Sequence, residues 1–153
     1  KKLPVKPYRL GVWLGDGENR HPRICSGTGD EDVIRGIEAD GYVLTKRWKG
    51  KSGSFSFYSF KTLRCGLKRL GLCYSNRTTT KYIPNEYYTA SVSQRLDLLA
   101  GLIDSDGCYT KYNNRYSFVT KCHSLRNDFI RLVLTFGWRC NVYKRTLIVS
   151  HWI

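Results

Sequence analysis

At 153 residues the chain can build one good-sized core or two small cores sharing an interface, which excludes a large multidomain enzyme. Its composition, 41% apolar with 25% charged and 14% aromatic residues, excludes disorder; no apolar run approaches the roughly 18 residues of a membrane span, and KKLPVKPYRL lacks a signal peptide's apolar stretch, so an intracellular protein without a membrane partner is expected. The formal net charge of +14 divides as +9 over residues 1–94 and +5 over 95–153, so it is no detachable tail, and self-repulsion of that size makes nucleic acid the first expected partner.

In chain order, Pro7 suits the first turn of a helix that Gly17 stops, Arg23–Ser26 reads as a short strand and Glu31–Ala39 as a helix. Tyr42–Lys49 and Ser54–Phe60 then read as a hairpin around Lys-Gly-Lys-Ser-Gly, and Thr62–Leu70 as a second helix, followed by a linker from about residue 72 that includes the loop Thr78–Pro84. The second half, 95–153, opens on a strongly helix-forming stretch, Gln94–Ile103, stopped by Gly107. Cys108–Tyr112 and Arg115–Thr120 flank the turn Asn113-Asn114, Ser124–Phe136 reads as a helix, and Arg139–Tyr143 with Leu147–Trp152 as a last strand pair. Helix, two strands, helix, two strands therefore occurs twice, which predicts an α+β fold with pseudo-twofold symmetry. The aromatics Trp48, Phe55 and Phe57 are expected to pack a sheet against its helices. The six cysteines (Cys25, Cys65, Cys73, Cys108, Cys122, Cys140) form no C-x-x-C pair and have no histidine pair at zinc spacing, and read as buried free thiols in a reducing compartment.

An internal repeat carries the chemistry. LGVWLGDG (Leu10–Gly17) aligns with AGLIDSDG (Ala100–Gly107), 90 residues on. Small residues at helical spacing, Gly11 with Gly15 and Gly101 with Ser105, clear one face of each helix so that two backbones can approach. Close approach brings together Asp16 and Asp106 at two helix ends where the macrodipole disfavours a carboxylate by roughly 0.3–1 kcal/mol each, before their mutual repulsion. A divalent cation resolves that conflict. Mg²⁺, with Mn²⁺ or Ca²⁺ in its place, accepts one or two carboxylates plus water and phosphate oxygens, and supports phosphodiester hydrolysis; Gly15 and Ser105 stand beside the aspartates as further candidate ligands. Asp104 lies on a different face of its helix and is expected to be structural, a cap or an ion-pair partner.

LLAGLIDSDG (Leu98–Gly107) resembles the signature of the LAGLIDADG homing endonucleases, and YRLGVWLGDG (Tyr8–Gly17) a more divergent first copy of it. KYIPNEYYTASVSQRLDLLAGLIDSDG (Lys81–Gly107) and TKCHSLRNDFIRLVLTFGW (Thr120–Trp138) are similar to the endonuclease domains of fungal inteins. The resemblance implies a monomer of two fused αββαββ units, 1–94 and a second half shortened at its C-terminus, with the motif helices at the interface and two antiparallel sheets forming a DNA-binding saddle. It also implies a nuclear setting, and site-specific hydrolysis of both strands of a long duplex across the minor groove to leave short 3′ overhangs. Asp16 and Asp106 would be catalytic, with Lys81 as the active-site lysine polarising water or stabilising phosphate charge. Strand residues would read DNA: Arg20, Arg23, Lys46, Arg47, Lys49, Lys51 and Tyr58 in the first half; Lys111, Tyr112, Arg115, Tyr116, Lys121, His123, Lys144, Arg145 and His151 in the second. The termini, Lys1-Lys2 and His151-Trp152-Ile153, lack splicing residues, so an endonuclease region without its splicing domain is expected. Alternatives are a DNA-binding relative that has lost cleavage and an RNA-splicing maturase.

Overall fold

The structure, a computed structural model, describes residues 2–18, 21–27, 31–50, 53–72 and 80–143. The elements run α1 (Pro7–Asp16), β1 (Arg23–Gly27), α2 (Glu31–Ala39), β2 (Leu44–Lys49), β3 (Phe55–Phe60), α3 (Leu63–Arg69), α4 (Asn85–Tyr88), α5 (Val92–Asp106), β4 (Gly107–Thr110), β5 (Arg115–Phe118) and α6 (His123–Leu134), with one 3₁₀ turn at Lys111–Asn113. The fold is α+β, with a three-stranded antiparallel sheet ordered β1-β3-β2 and a two-stranded sheet of β4 and β5.

Most single elements fall where the patterning puts them, but the expected order of helix, two strands, helix, two strands does not occur twice: the first half runs α1-β1-α2-β2-β3-α3, with one strand between its first two helices, and among the described residues the second runs α5-β4-β5-α6. Pro7 occupies the first turn of α1, where its missing N–H costs nothing. Helix α5 begins two residues before the expected Gln94, because Ser91 and Gln94 form a reciprocal capping box in which the Ser91 hydroxyl accepts from Gln94 N at 3.3 Å. The short α4 was not expected; it follows Pro84, and its Tyr87 hydroxyl donates to Val5 O at 2.7 Å, tying the linker to the N-terminal segment. Asn114 takes the left-handed conformation at φ 51° between the 3₁₀ turn and β5, so the turn is wider than a two-residue hairpin. Among the described residues the expected strand Arg139–Tyr143 is not formed: a strand exists only as part of a ladder, and its expected partner, Leu147–Trp152, lies outside them.

Helices α1 and α5 meet backbone to backbone. A Cβ on Gly11 would overlap Leu98 O and lie 2.8 Å from Leu102 N, and a Cβ on Gly101 would overlap Tyr8 O and lie 2.9 Å from Val12 N. These contacts are reciprocal, since Tyr8, Gly11 and Val12 occupy in α1 the repeat positions of Leu98, Gly101 and Leu102 in α5. One level further along, a Cβ on Gly15 would collide with the side chain of Ser105. Leu10, Val12, Trp13, Leu14, Leu98 and Leu102, all 1% exposed or less, surround the contact, so the two halves share one core. Gly17 and Gly107 cap the two helices as expected, both in extended conformation (φ −75° and −104°); glycine is required there because a Cβ would overlap the carbonyl oxygen of Trp13 or Ile103.

Arg9, fully buried in α1, joins that helix to the first sheet. Its guanidinium lies 3.2 Å from the centre of the Tyr42 ring, and Nη2 donates to Lys61 O at 3.4 Å. Burial lowers its pKa to about 10, partly offset by Tyr42 and Asp40. Asp104 accepts from the Tyr8 hydroxyl at 3.0 Å, a link between the two motif helices. The cysteines are free among the described residues but not buried as expected: Cys65 on α3 and Cys108 on β4 are exposed, and Cys25 on β1, Cys122 at the N-cap of α6 and Cys140 beyond that helix are half-buried; Cys73 lies outside the described residues.

Candidate active site and nucleic-acid interface

The close approach of α1 and α5 carries their C-terminal ends to one place. The carboxyl carbon of Asp106 would lie 3.4 Å from a Cβ on Gly15, so this acid sits against the last turn of the opposite helix. Both ends are negative poles of helix dipoles. Burial raises the pKa of Asp106, opposed by the charge of Lys81. Asp16 follows Gly15 at the end of α1 and lies near Cys25, whose thiol is raised first by burial and then by the Asp16 charge.

Lys81 reaches this junction from the linker. Its ammonium donates to Gly15 O at 2.7 Å and lies 5.5 Å from the centre of the Trp13 ring. Burial pulls its pKa down to about 8, and Asp106 and then Asp16 pull it back up. An acid and a lysine whose desolvation and charge effects oppose each other, as in Asp106 and Lys81, are a pattern frequent at reactive sites. Gly15 O already accepts from Lys81, and Ser105 Oγ donates to Gly101 O at 2.9 Å within its own helix.

The donor set fits a hard divalent ion that keeps most of its water. Among the described residues no group of three or more His, Cys, Asp or Glu comes together as a protein cage. Two carboxylates at converging helix ends, without a protein cage around them, suit the ligation Mg²⁺ prefers, in which water and phosphate oxygens complete the shell.

The sheets sort the expected DNA contacts by face. In the first sheet Ile24, Ser26, Ser56, Tyr58 and Phe60 are buried on one face, and Tyr58 shares a groove against α2 with Ile34, Arg35, Glu38, Leu44 and Arg47. Tyr58, only 5% exposed there, is removed from the expected DNA-reading set, because a ring packed under a helix cannot reach a base. Arg47 pairs with Tyr58 and Lys49 with Ser56, so both start from that same face. The opposite face carries Arg23, Cys25, Lys46, Trp48, Phe55 and Phe57.

The expected packing of Trp48, Phe55 and Phe57 against helices is therefore corrected. They form an outward aromatic row covered by cations: the Arg23 guanidinium lies 4.1 Å from the Phe57 ring centre and the Lys46 ammonium 4.9 Å from that of Trp48. A bulge at Thr45, between the pairs Leu44–Phe60 and Lys46–Ser59, shifts the alternation of β2 by one and turns Lys46 and Trp48 outward. Arg23 also pairs with Glu18.

In the second sheet Phe118 stacks on Phe129 of α6 at 4.4 Å, which marks that face as the helix side and places Tyr109 and Tyr116 on it. Arg115, Thr110, Cys108 and Ser117 occupy the other face. Lys111 and the 91% exposed Tyr112 lie at the tip of the turn, and Lys121 and His123 are exposed at the start of α6. Arg20, Lys51, Lys144, Arg145 and His151 lie outside the described residues. Sequence reasoning missed Trp48 and Phe57 as members of the outward cationic face; the alternation in FSFYSF signals two aromatic faces but not which one a helix covers.

Residues 93–150 match the family model described as a LAGLIDADG-like domain. The chain is 32% identical over 140 residues to the replicative DNA helicase DnaB of Mycobacterium intracellulare, an alignment that takes in 92% of this chain and 20% of that protein. The chain thus spans about a fifth of the length of the curated relative it matches. Among the described residues no helix is long and apolar enough to cross a membrane.

Proposed function

We propose that the chain is a site-specific DNA endonuclease of the homing type, hydrolysing both strands of a long duplex target with a divalent metal. The observation that carries this reading is the backbone contact of α1 with α5, which end in Asp16 and Asp106, with the Lys81 ammonium on Gly15 O and within the charge fields of both acids. Likeness of 93–150 to a LAGLIDADG-like domain supports a nuclease of that kind. The helicase match, confined to a fifth of that protein, supports likeness to a segment carried inside a host protein in the manner of an intein. The protein would act inside the cell as a monomer, its halves 1–94 and 95–153 forming a pseudo-twofold saddle over the duplex. The mycobacterial relative lends no support to a nuclear setting.

In this mechanism Asp16 and Asp106 would hold Mg²⁺, which when bound would supply water activation and charge neutralisation for phosphodiester hydrolysis. The chain's own residues do the rest. The two helix ends fix the carboxylates relative to each other, so no rearrangement is needed when phosphate arrives. Lys81, held within the charge fields of both acids, offers N–H donors to a phosphate oxygen or to water at the same point. Arg23, Lys46 and Arg115 offer phosphate and base-edge contacts from the exposed sheet faces.

A supercoiled plasmid library carrying randomised duplex inserts, incubated with the protein and Mg²⁺, tests the reading: linear product with a recoverable site supports it. Binding without nicking in Mg²⁺ or Mn²⁺ would identify a DNA-binding relative, and preference for intron RNA over duplex DNA a maturase.

Binding itself is expected to be steeply salt-dependent. With about six phosphates neutralised, affinity falls by about a thousandfold between about 50 and about 200 mM salt. A fluorescence-anisotropy titration with a flat salt response contradicts the assignment of the +14 charge to DNA.

A further inference from the structure

The backbone that carries Lys81 is held by helix α6 of the other half. Ser124 Oγ donates to Lys81 O at 2.9 Å, and Cys122 Sγ reaches the same oxygen at 3.5 Å. Two residues further along the linker, Ile83 N donates to Asp128 Oδ2 at 2.8 Å. Ser124 and Asp128 are one helical turn apart and so lie on one face of α6. Their side chains serve as a donor and an acceptor respectively, at the spacing the linker presents, in place of the strand partner an extended segment otherwise needs. The segment is also tied at Tyr82, whose hydroxyl donates to Leu70 O at 2.7 Å. Lys81 is thus anchored at both ends, by α6 at its carbonyl and by α1 at its ammonium.

We propose that Ser124 and Asp128 are positioning residues that set Lys81 against the junction of α1 and α5, so that the second half of the protein places the lysine used at the two helix ends. The catalytic part of this inference rests on the reading of Lys81 given above, whereas the anchoring part does not. Neither Ser124 nor Asp128 touches the reacting atoms. Their effect passes through the linker backbone: without the Ser124 hydroxyl, Lys81 O loses its best donor and the ammonium samples positions away from Gly15 O. Catalytic groups are sensitive to such displacement, since a shift of about 1 Å costs up to about a hundredfold in rate.

The test uses the full chain and two readouts. Ser124→Ala is expected to lower kcat roughly tenfold at unchanged Kd for target DNA, and Ser124→Thr, which keeps the hydroxyl, to restore it. Independently of cleavage, acylation of Lys81 by an N-hydroxysuccinimide ester at neutral pH, read by peptide mass spectrometry, is expected to rise about fivefold in Ser124→Ala, the change that losing one net hydrogen bond brings to a locally opening segment. Ser124→Thr should label as wild type does. Asp128→Ala, which removes the acceptor for Ile83 N, provides a second variant and should raise labelling in the same direction. Wild-type labelling in Ser124→Ala and Asp128→Ala overturns the proposal whatever the nuclease does. Raised labelling with Lys81→Met cutting at the wild-type rate keeps the anchoring and overturns the catalytic reading of Lys81.

Discussion

Asp16→Asn and Asp106→Asn are each expected to reduce DNA cleavage by on the order of a thousandfold while leaving the protein folded and bound to its target. Asparagine is nearly isosteric with aspartate, so the contact of α1 with α5 survives. It removes a negative charge from a helix C-terminus, where that charge is unfavourable, and in Asp106 from a half-buried position. The variants should therefore melt at the same temperature as the wild type or higher, and bind DNA at least as tightly. Loss of activity with retained or raised stability separates a functional carboxylate from a structural one. Chelation of divalent metal should reproduce the cleavage defect in the wild type without unfolding it. Supercoiled-plasmid assays beside thermal melts of the same samples decide the point: a variant that cuts at the wild-type rate removes its aspartate from the mechanism. One that fails to fold shows that the carboxylate is structural.

Adding a single methyl group between the motif helices should be the most destabilising small change available. Gly101→Ala sets a Cβ into Tyr8 O, and Gly11→Ala sets one into Leu98 O. Both obstacles are backbone atoms of a fully packed helix, so rotating a side chain cannot relieve the clash. Overpacking of this kind costs about 3 kcal/mol, a large part of the stability of a domain of this size. Urea unfolding should show the midpoint falling with little change in slope. Gly41→Ala, a change at a position with open space around it but φ of 82°, gives a milder control whose cost is backbone strain alone. A Gly101→Ala protein as stable as the wild type would mean that the helices are not in backbone contact.

These two expectations draw on different sources of information. The repeat, the small-residue stripe and the paired Asp-Gly steps are local features, and period and composition express them in one dimension. Gly11, Gly101, Asp16 and Asp106 could be singled out because close helix packing has few solutions and glycine is the residue that permits it. Capping chemistry was equally local: Ser91 and Gln94 mark the start of α5 in the sequence, two residues before the place that apolar periodicity suggested.

What lay beyond the sequence was which side of each sheet a helix would cover. FSFYSF offers aromatics to both faces, and a bulge at Thr45, which no residue type announces, reverses the outward set of β2. Tyr58 therefore went under α2 while Trp48 and Phe57 turned outward beneath cations. The hold of α6 on the Lys81 backbone was hidden for the same reason, since Ser124 and Asp128 lie more than forty residues from it and a hydroxyl-to-carbonyl bond leaves no periodic trace. The sequence by itself determined that two acidic helix ends would meet, because that follows from steric room at glycine. Only the tertiary structure decided how the lysine is held to them and which strand faces remain open, because those depend on register and on contacts between segments far apart in the chain.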